Sequence, residues 1–131
     1  QLLQEGSDVS IFAIGHLVWE ALEATKILEE KGIKAEVINL ATIKPLDEKA
    51  VVESAKKTNA VITAEEHNYY GGLGESVART LAQHHPTHQE FVATQDTFGE
   101  SGKPHELLEK YGLNATNIVA KAEKLLRAKL V

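Results

Sequence analysis

Apolar positions along this chain switch between two rhythms. Val9-Ser10-Ile11-Phe12-Ala13-Ile14 is a short, mostly apolar run bounded by Asp8 and Gly15, the pattern of a buried strand. From Leu17 to Lys31 the apolar spacing changes to three and four (Val18, Ala21, Leu22, Thr25, Leu28), which predicts an amphipathic helix. Gly32 falls where a left-handed residue ends such a helix. Ala35-Glu36-Val37-Ile38-Asn39-Leu40 returns to the strand rhythm. Asp47 is placed to cap a second helix, with Leu46 and Val51 as a hydrophobic staple across its first turn. Ala60-Val61-Ile62-Thr63-Ala64 predicts a third buried strand, Glu75 to Gln83 a helix closed by Pro86, and Glu90-Phe91-Val92-Ala93 a fourth strand. Pro104 opens a short helix that Gly112 ends. Asn114 then caps a last helix striped by Ile118, Ala122, Leu125 and Leu126. Leu2-Leu3, ahead of Glu5-Gly6, reads as an extra strand in a hairpin with Val9 to Ile14. Strands alternating with helices of this length predict an α/β fold, a mostly parallel sheet covered on both faces.

Composition narrows the classes of partner. The 131 residues carry 14 Lys+Arg against 19 Asp+Glu, a net charge of −5 with no basic stripe, which argues against nucleic acid and anionic membrane. No apolar run approaches the length of a membrane span. With no cysteine, disulfides, thiolate metal sites and thiol catalysis are excluded, and a reducing cytoplasmic location is the expectation. The chain also lacks methionine and starts Gln1-Leu2-Leu3-Gln4, so it is expected to be one domain, residues 1–131, from the last third of a longer subunit.

In an open α/β sheet, ligands bind beyond the carboxyl ends of the strands, where strand order reverses. Three loops qualify: Gly15-His16, Ala41-Thr42-Ile43-Lys44, and Glu65 through Gly74. In the third, Gly71-Gly72-x-Gly74 ahead of a helix can turn backbone N–H groups toward an anion, or can be a tight turn with close packing. Glu65, Glu66 and His67 stand at a strand end, where acid–base groups are often placed. Adjacent carboxylates on a strand point to opposite faces, so a paired role is disfavoured; the alternative is one side chain capping the sheet end and the others solvated. His16 can hydrogen-bond into the same crevice or simply start its helix. Tyr69 and Tyr70 can anchor an interface or pack over the sheet end. His84 and His88 have helical ligand spacing, but Pro86 between them breaks the helix that would align them. Lys121, Lys124, Arg127 and Lys129 complement the dipole of the last helix. Ser101 lacks a G-x-S-x-G turn, and no nucleophile–base–orienter set can be assembled.

Several segments together resemble one family. Val37-Ile38-Asn39-Leu40 with Thr42-Ile43-Lys44-Pro45-Leu46-Asp47 is similar to a strand-to-helix segment in the C-terminal domain of transketolase-like thiamine-diphosphate enzymes. Glu65-Glu66-His67 with Gly71-Gly72-Leu73-Gly74-Glu75 narrows the resemblance. Phe98-Gly99-Glu100-Ser101-Gly102-Lys103-Pro104, then Glu106-Leu107-Leu108 and Tyr111-Gly112-Leu113, points to transketolase rather than to deoxyxylulose-phosphate synthase or a 2-oxo acid dehydrogenase β subunit. The resemblance implies a three-layer α/β/α sandwich on a five-stranded mixed sheet, its first strand antiparallel to the rest. It implies a parent enzyme, a homodimer, that transfers a two-carbon ketol unit between sugar phosphates. The parent's thiamine diphosphate and divalent metal (Mg or Ca) lie in the preceding domains or subunit. No catalytic, cofactor-binding or metal residue carries over to this chain, which is expected to bind no cofactor and to be inactive alone. His16, Glu65, His67, Tyr69, Tyr70, Gly71, Gly72 and Gly74 form a candidate crevice or interface. The resemblance implies a non-catalytic domain that supports packing and dimer assembly; a small-anion regulatory module is the alternative reading.

Overall fold

A computed structural model describes residues 1–41, 45–66, 72–93 and 112–129. In chain order the elements are β1 (Leu2–Gln4), β2 (Val9–Ala13), α1 (His16–Glu30), β3 (Ala35–Asn39), α2 (Glu48–Thr58), β4 (Val61–Ala64), α3 (Leu73–His84), β5 (Gln89–Val92) and α4 (Ala115–Lys129). The sheet order is β1-β3-β2-β4-β5. β2 pairs in parallel with both β3 and β4, setting Ile11 opposite Val37 and Ile62, and β5 extends the parallel set. β1 is antiparallel, but its partner is β3, with Leu2 opposite Ile38. The hairpin expected between Leu2-Leu3 and Val9 to Ile14 is therefore corrected. β3 takes the edge beside β2, so β1 pairs one strand further out, and a bulge between Leu2 and Gln4 adjusts its register.

The period-two pattern explains the three layers. Val9, Ile11 and Ala13 of β2, Ala35 and Val37 of β3, and Ile62 and Ala64 of β4 face one way. They pack with Leu17, Ala21, Ala24 and Leu28 of α1 and Ile118, Val119, Ala122 and Leu125 of α4. The intervening Phe12, Ile38 and Val61 face the other way, toward Val51 and Ala55 of α2 and Leu73, Val77 and Leu81 of α3. A one-residue slip in any central strand would exchange these two faces, so register is tightly specified.

The helix ends follow from local chemistry. α1 closes in a Schellman motif: Gly32 (φ 77°) donates its N–H to Glu29 O at 3.0 Å, and Ile33 donates to Leu28 O at 2.9 Å. Asp47 caps α2 by accepting the Ala50 N–H at 3.1 Å. Asn114 caps α4 in the same way, from the Asn117 N–H at 2.9 Å. α3 starts at Leu73, two residues ahead of the sequence expectation, because a distant side chain caps it. The short helix expected after Pro104 and the Phe98-to-Pro104 segment lie outside the described residues.

Candidate functional site

Strand order reverses between β2 and β4, so the chain leaving these two strands forms the switch point. Gly15 follows β2 with φ 63°, a conformation that favours glycine, and leads directly into His16, the first residue of α1. Glu65 and Glu66 follow β4. A Cβ on Gly15 would stand 3.8 Å from Glu66 Oε1, so the two loops meet there.

Glu65 is the central group of this end of the sheet. Only 3% exposed, it turns its carboxylate into the start of α3. Oε1 accepts the Leu73 N–H at 3.1 Å and Oε2 accepts the Gly74 N–H at 2.7 Å. These are two of the N–H groups that a helix start leaves without internal partners. The N-cap residue Gly72 has no side chain to serve them, and Glu65 supplies the missing acceptor from eight and nine residues upstream. The negative charge also lies favourably against the positive end of the helix dipole. Gly74 also lets the start of α3 lie close on β4 and β5: a Cβ there would overlap the Phe91 ring and meet Thr63 Oγ1 at 3.1 Å. The start of α3 therefore holds an anionic group, and that group is the chain's own carboxylate.

His16 lies on the neighbouring loop. Its Nε2 is 3.3 Å from Glu20 Oε2, and its ring stacks on Trp19 with centroids 5.9 Å apart. Glu20 in turn accepts the Ala115 N–H at 2.8 Å, which satisfies the first turn of α4. The structure thus brings His16, Glu65, Gly72 and Gly74 to one end of the sheet. His67, Tyr69, Tyr70 and Gly71 lie outside the described residues, as do Thr42, Ile43 and Lys44.

The three histidines near the end of α3 diverge. His84 pairs with Glu48 at 3.6 Å, His85 with Asn59 at 2.9 Å, and His88 with Glu90 at 3.5 Å. Among the described residues, no group of three metal-ligating side chains comes together. Nor is any described helix long and apolar enough to cross a membrane. The cations of α4 have more specific work than complementing its dipole. Lys121 and Lys124 both donate to Glu90 Oε1 at 3.3 Å. Lys129 donates to the Asp8 and Thr58 carbonyls at 2.9 and 2.6 Å, tying the end of α4 to the chain just before β2 and to the end of α2. Partial burial raises the Glu90 pKa, but the Lys124 and Lys121 ammonium groups outweigh it and hold the carboxyl below its ordinary 4.5.

Sequence reasoning missed a buried polar chain on the α2 side of the sheet. Ser54 Oγ donates to Glu36 Oε2 at 2.7 Å, because a carboxylate can only accept. That fixes Ser10 as the donor to Ser54 Oγ at 2.6 Å, and Thr58 as the donor to Ser10 at 2.7 Å. Lys57 and the Gly6 N–H complete the Glu36 environment. The available signal was a serine inside the apolar run of β2, matched by Ser54 and Thr58 one helical turn apart.

The geometry defines a three-layer α/β domain with a mostly parallel five-stranded mixed sheet, in which the Glu65 carboxylate occupies the first amides of α3 at the switch point. The family model described as "Transketolase, C-terminal domain" matches residues 1–118, and the chain belongs to that family. A 6-deoxy-6-sulfo-D-fructose transketolase subunit from Clostridium sp. (strain MSTE9) is 47% identical over 128 residues, covering 98% of this chain and 40% of that protein. A 1-deoxy-D-xylulose-5-phosphate synthase from Desulforudis audaxviator (strain MP104C) is 40% identical over 134 residues, covering 99% of this chain and 21% of that protein. A solved structure of a split-gene transketolase, described as an inactive beta4 tetramer, superposes with a TM-score of 0.91 at 49% identity, covering 97% of this chain and 42% of that one. The chain therefore spans less than half the length of these relatives.

Transketolase-family relatives are thiamine-diphosphate enzymes, so the described residues can be tested for a fit to that group. A diphosphate–metal group needs free backbone donors and a cluster of oxygen ligands. The Leu73 and Gly74 donors are taken by Glu65, and no described cluster supplies the ligands. The start of α3 and the described acidic and histidine side chains therefore do not fit the group.

Proposed function

We propose that this chain serves a transketolase as an assembly domain, with thiamine diphosphate, a divalent metal (Mg or Ca) and the ketol-transfer chemistry supplied by the domains or subunit that accompany it. The observation that carries the reading is the Glu65 carboxylate seated on the Leu73 and Gly74 amides, which fills from within the place where an α/β domain ordinarily receives an anionic ligand. Identities of 47% and 49% to a transketolase subunit and a split-gene transketolase chain, against 40% to a deoxyxylulose-phosphate synthase, support a transketolase parent. The tetrameric state of that split-gene chain supports association with further subunits, here proposed as the homodimer of the parent. A cytoplasmic location accords with a chain free of cysteine.

Calorimetry of this chain with thiamine diphosphate and Mg²⁺ tests the reading. No binding heat is expected up to millimolar cofactor, and micromolar affinity would overturn it. The same occupied amides disfavour the regulatory small-anion module. For that module to hold, the Gly72 and Gly74 amide resonances would have to shift on titration with a sugar phosphate.

A further inference from the structure

Trp19 is the sole tryptophan of the chain, and it is 56% exposed at the first turn of α1. Other exposed apolar side chains of the described residues are dispersed: Leu2 and Leu3 on edge strand β1, Phe91 on β5, and Ile27 near the far end of α1. Trp19 is the most exposed of these and is braced along its own helix. The His16 ring stacks against it, His16 is held 3.3 Å from Glu20, and Glu20 is anchored by the Ala115 N–H at the start of α4. A braced aromatic loses little rotamer freedom on being covered, the property that makes tryptophan effective at the centre of protein interfaces.

Its position indicates what covers it. β1 runs antiparallel to β3, and Gln1 exchanges backbone hydrogen bonds with Asn39 at 2.8 Å in both directions. Gln1 therefore stands at the carboxyl end of the parallel strands, the same end as Gly15, His16 and Trp19. The chain covers 40% of the Clostridium subunit and 42% of the split-gene chain, so those proteins carry more than half their length outside this domain. A segment joined ahead of Gln1 would start from that end.

We infer that the His16–Trp19 surface is the seat of the protein domain that accompanies this one in the longer relatives. The inference rests on the assembly reading above and names the surface through which assembly occurs. Trp19 is the anchor, His16 and Glu20 are positioning residues, and the Glu66 carboxylate beside Gly15 gives the rim of the contact a negative charge.

The test labels this chain with 5-fluorotryptophan, which gives a single fluorine resonance because Trp19 has no companion. The unlabelled probe is the part of the split-gene transketolase chain that lies outside this domain, taken forward once circular dichroism and a cooperative melt show that it folds alone. In the free chain the resonance should show the H₂O-to-D₂O shift of an exposed ring. Added probe should move it and suppress that shift, and Trp19→Ser should weaken calorimetric binding at least about tenfold. Ile27→Ser, at the far end of the helix, should leave affinity unchanged. Glu20→Gln should weaken binding less than Trp19→Ser and restore mobility to the fluorine signal. A resonance already insensitive to solvent in the free chain would overturn the inference, because another part of the same chain would then cover the ring. Binding that leaves Trp19 unshifted and is indifferent to Trp19→Ser would overturn the surface while sparing the assembly reading. Absence of any binding would overturn both.

Discussion

Replacing Glu65 is the most direct probe of how this domain closes its switch point. The carboxylate is 3% exposed and accepts two backbone N–H groups at 3.1 and 2.7 Å. A hydrogen bond to a charged partner contributes about 1.5–3 kcal/mol net, and a charge at a helix terminus up to about 2 kcal/mol in a partly buried setting. These terms overlap, and deleting an ordinary N-cap side chain costs about 0.5–2 kcal/mol. Glu65→Ala removes both acceptors and leaves two buried donors facing a void, so a loss of about 3 kcal/mol is expected. For a domain of this size that corresponds to a fall in melting temperature of roughly 10 °C. Glu65→Gln keeps the shape and one acceptor oxygen, but sets an NH₂ group against one of the helix N–H donors. Its expected cost is smaller, about 2 kcal/mol.

Urea unfolding followed by circular dichroism measures both variants, and amide hydrogen exchange locates the damage. Protection at Leu73 and Gly74 should fall in Glu65→Ala well before protection in β2 changes. If Glu65→Gln unfolds within about 0.5 kcal/mol of the parent chain, and Leu73 and Gly74 stay protected in Glu65→Ala, the cap is not what holds the start of α3. The account of the switch point would then be wrong.

Three further perturbations test other parts of the structure. Glu90 has a folded pKa below its ordinary 4.5, so its contribution to stability is present above about pH 4.5 and is lost as pH falls through the lowered value. The stability difference between the parent chain and Glu90→Gln should shrink over that acid range in pH-dependent urea titrations; a difference that grows with acid would reverse the assigned sign. Ser54→Ala deprives both Ser10 and Glu36 of a buried partner and should cost about 2–3 kcal/mol, with Ser10→Ala adding less in its background than alone; additive losses would show that the hydroxyls do not act as a chain. Lys129→Met keeps most of the aliphatic stem and removes two donor contacts, for a loss of about 1–2 kcal/mol, and an unchanged urea midpoint would refute the tie between α4 and the Asp8 and Thr58 carbonyls.

The strands and helices were legible because their signals are local. Val9 to Ala13 and Ala35 to Asn39 are short apolar runs that alternate between two cores, and Gly32, Asp47 and Asn114 mark helix ends with their own backbone or side-chain chemistry. Pairing was less legible. Nothing in Leu2-Leu3 distinguishes β2 from β3 as a partner, because proximity in sequence favours the hairpin while the crossover through α1 places β3 at that edge. The start of α3 falls two residues ahead of its expected place for a similar reason. Its cap is neither the N-cap residue nor its neighbour but Glu65, across the turn, and periodicity carries no trace of such a partner.

The same distinction governs the candidate site. Glu65 and the glycines were legible as a pair of features at one strand end, an acid and an anion-accepting turn, each of which separately suggests a ligand. With the Glu65 oxygens 3.1 and 2.7 Å from the Leu73 and Gly74 amides, the acid and the helix start satisfy each other. A carboxylate bound by helix amides is a poor general base toward an outside molecule, since its lone pairs already serve backbone donors. Helix amides bound by a carboxylate are in turn a poor receptor for phosphate, which would have to displace a tethered competitor of like charge at high effective concentration. Two signals of ligand binding thus combine into a structural joint. Among the described residues at this end, Trp19 is the one with large apolar surface in solvent, braced by His16 and Glu20, and its chemistry suits contact with another protein domain better than capture of a small anion.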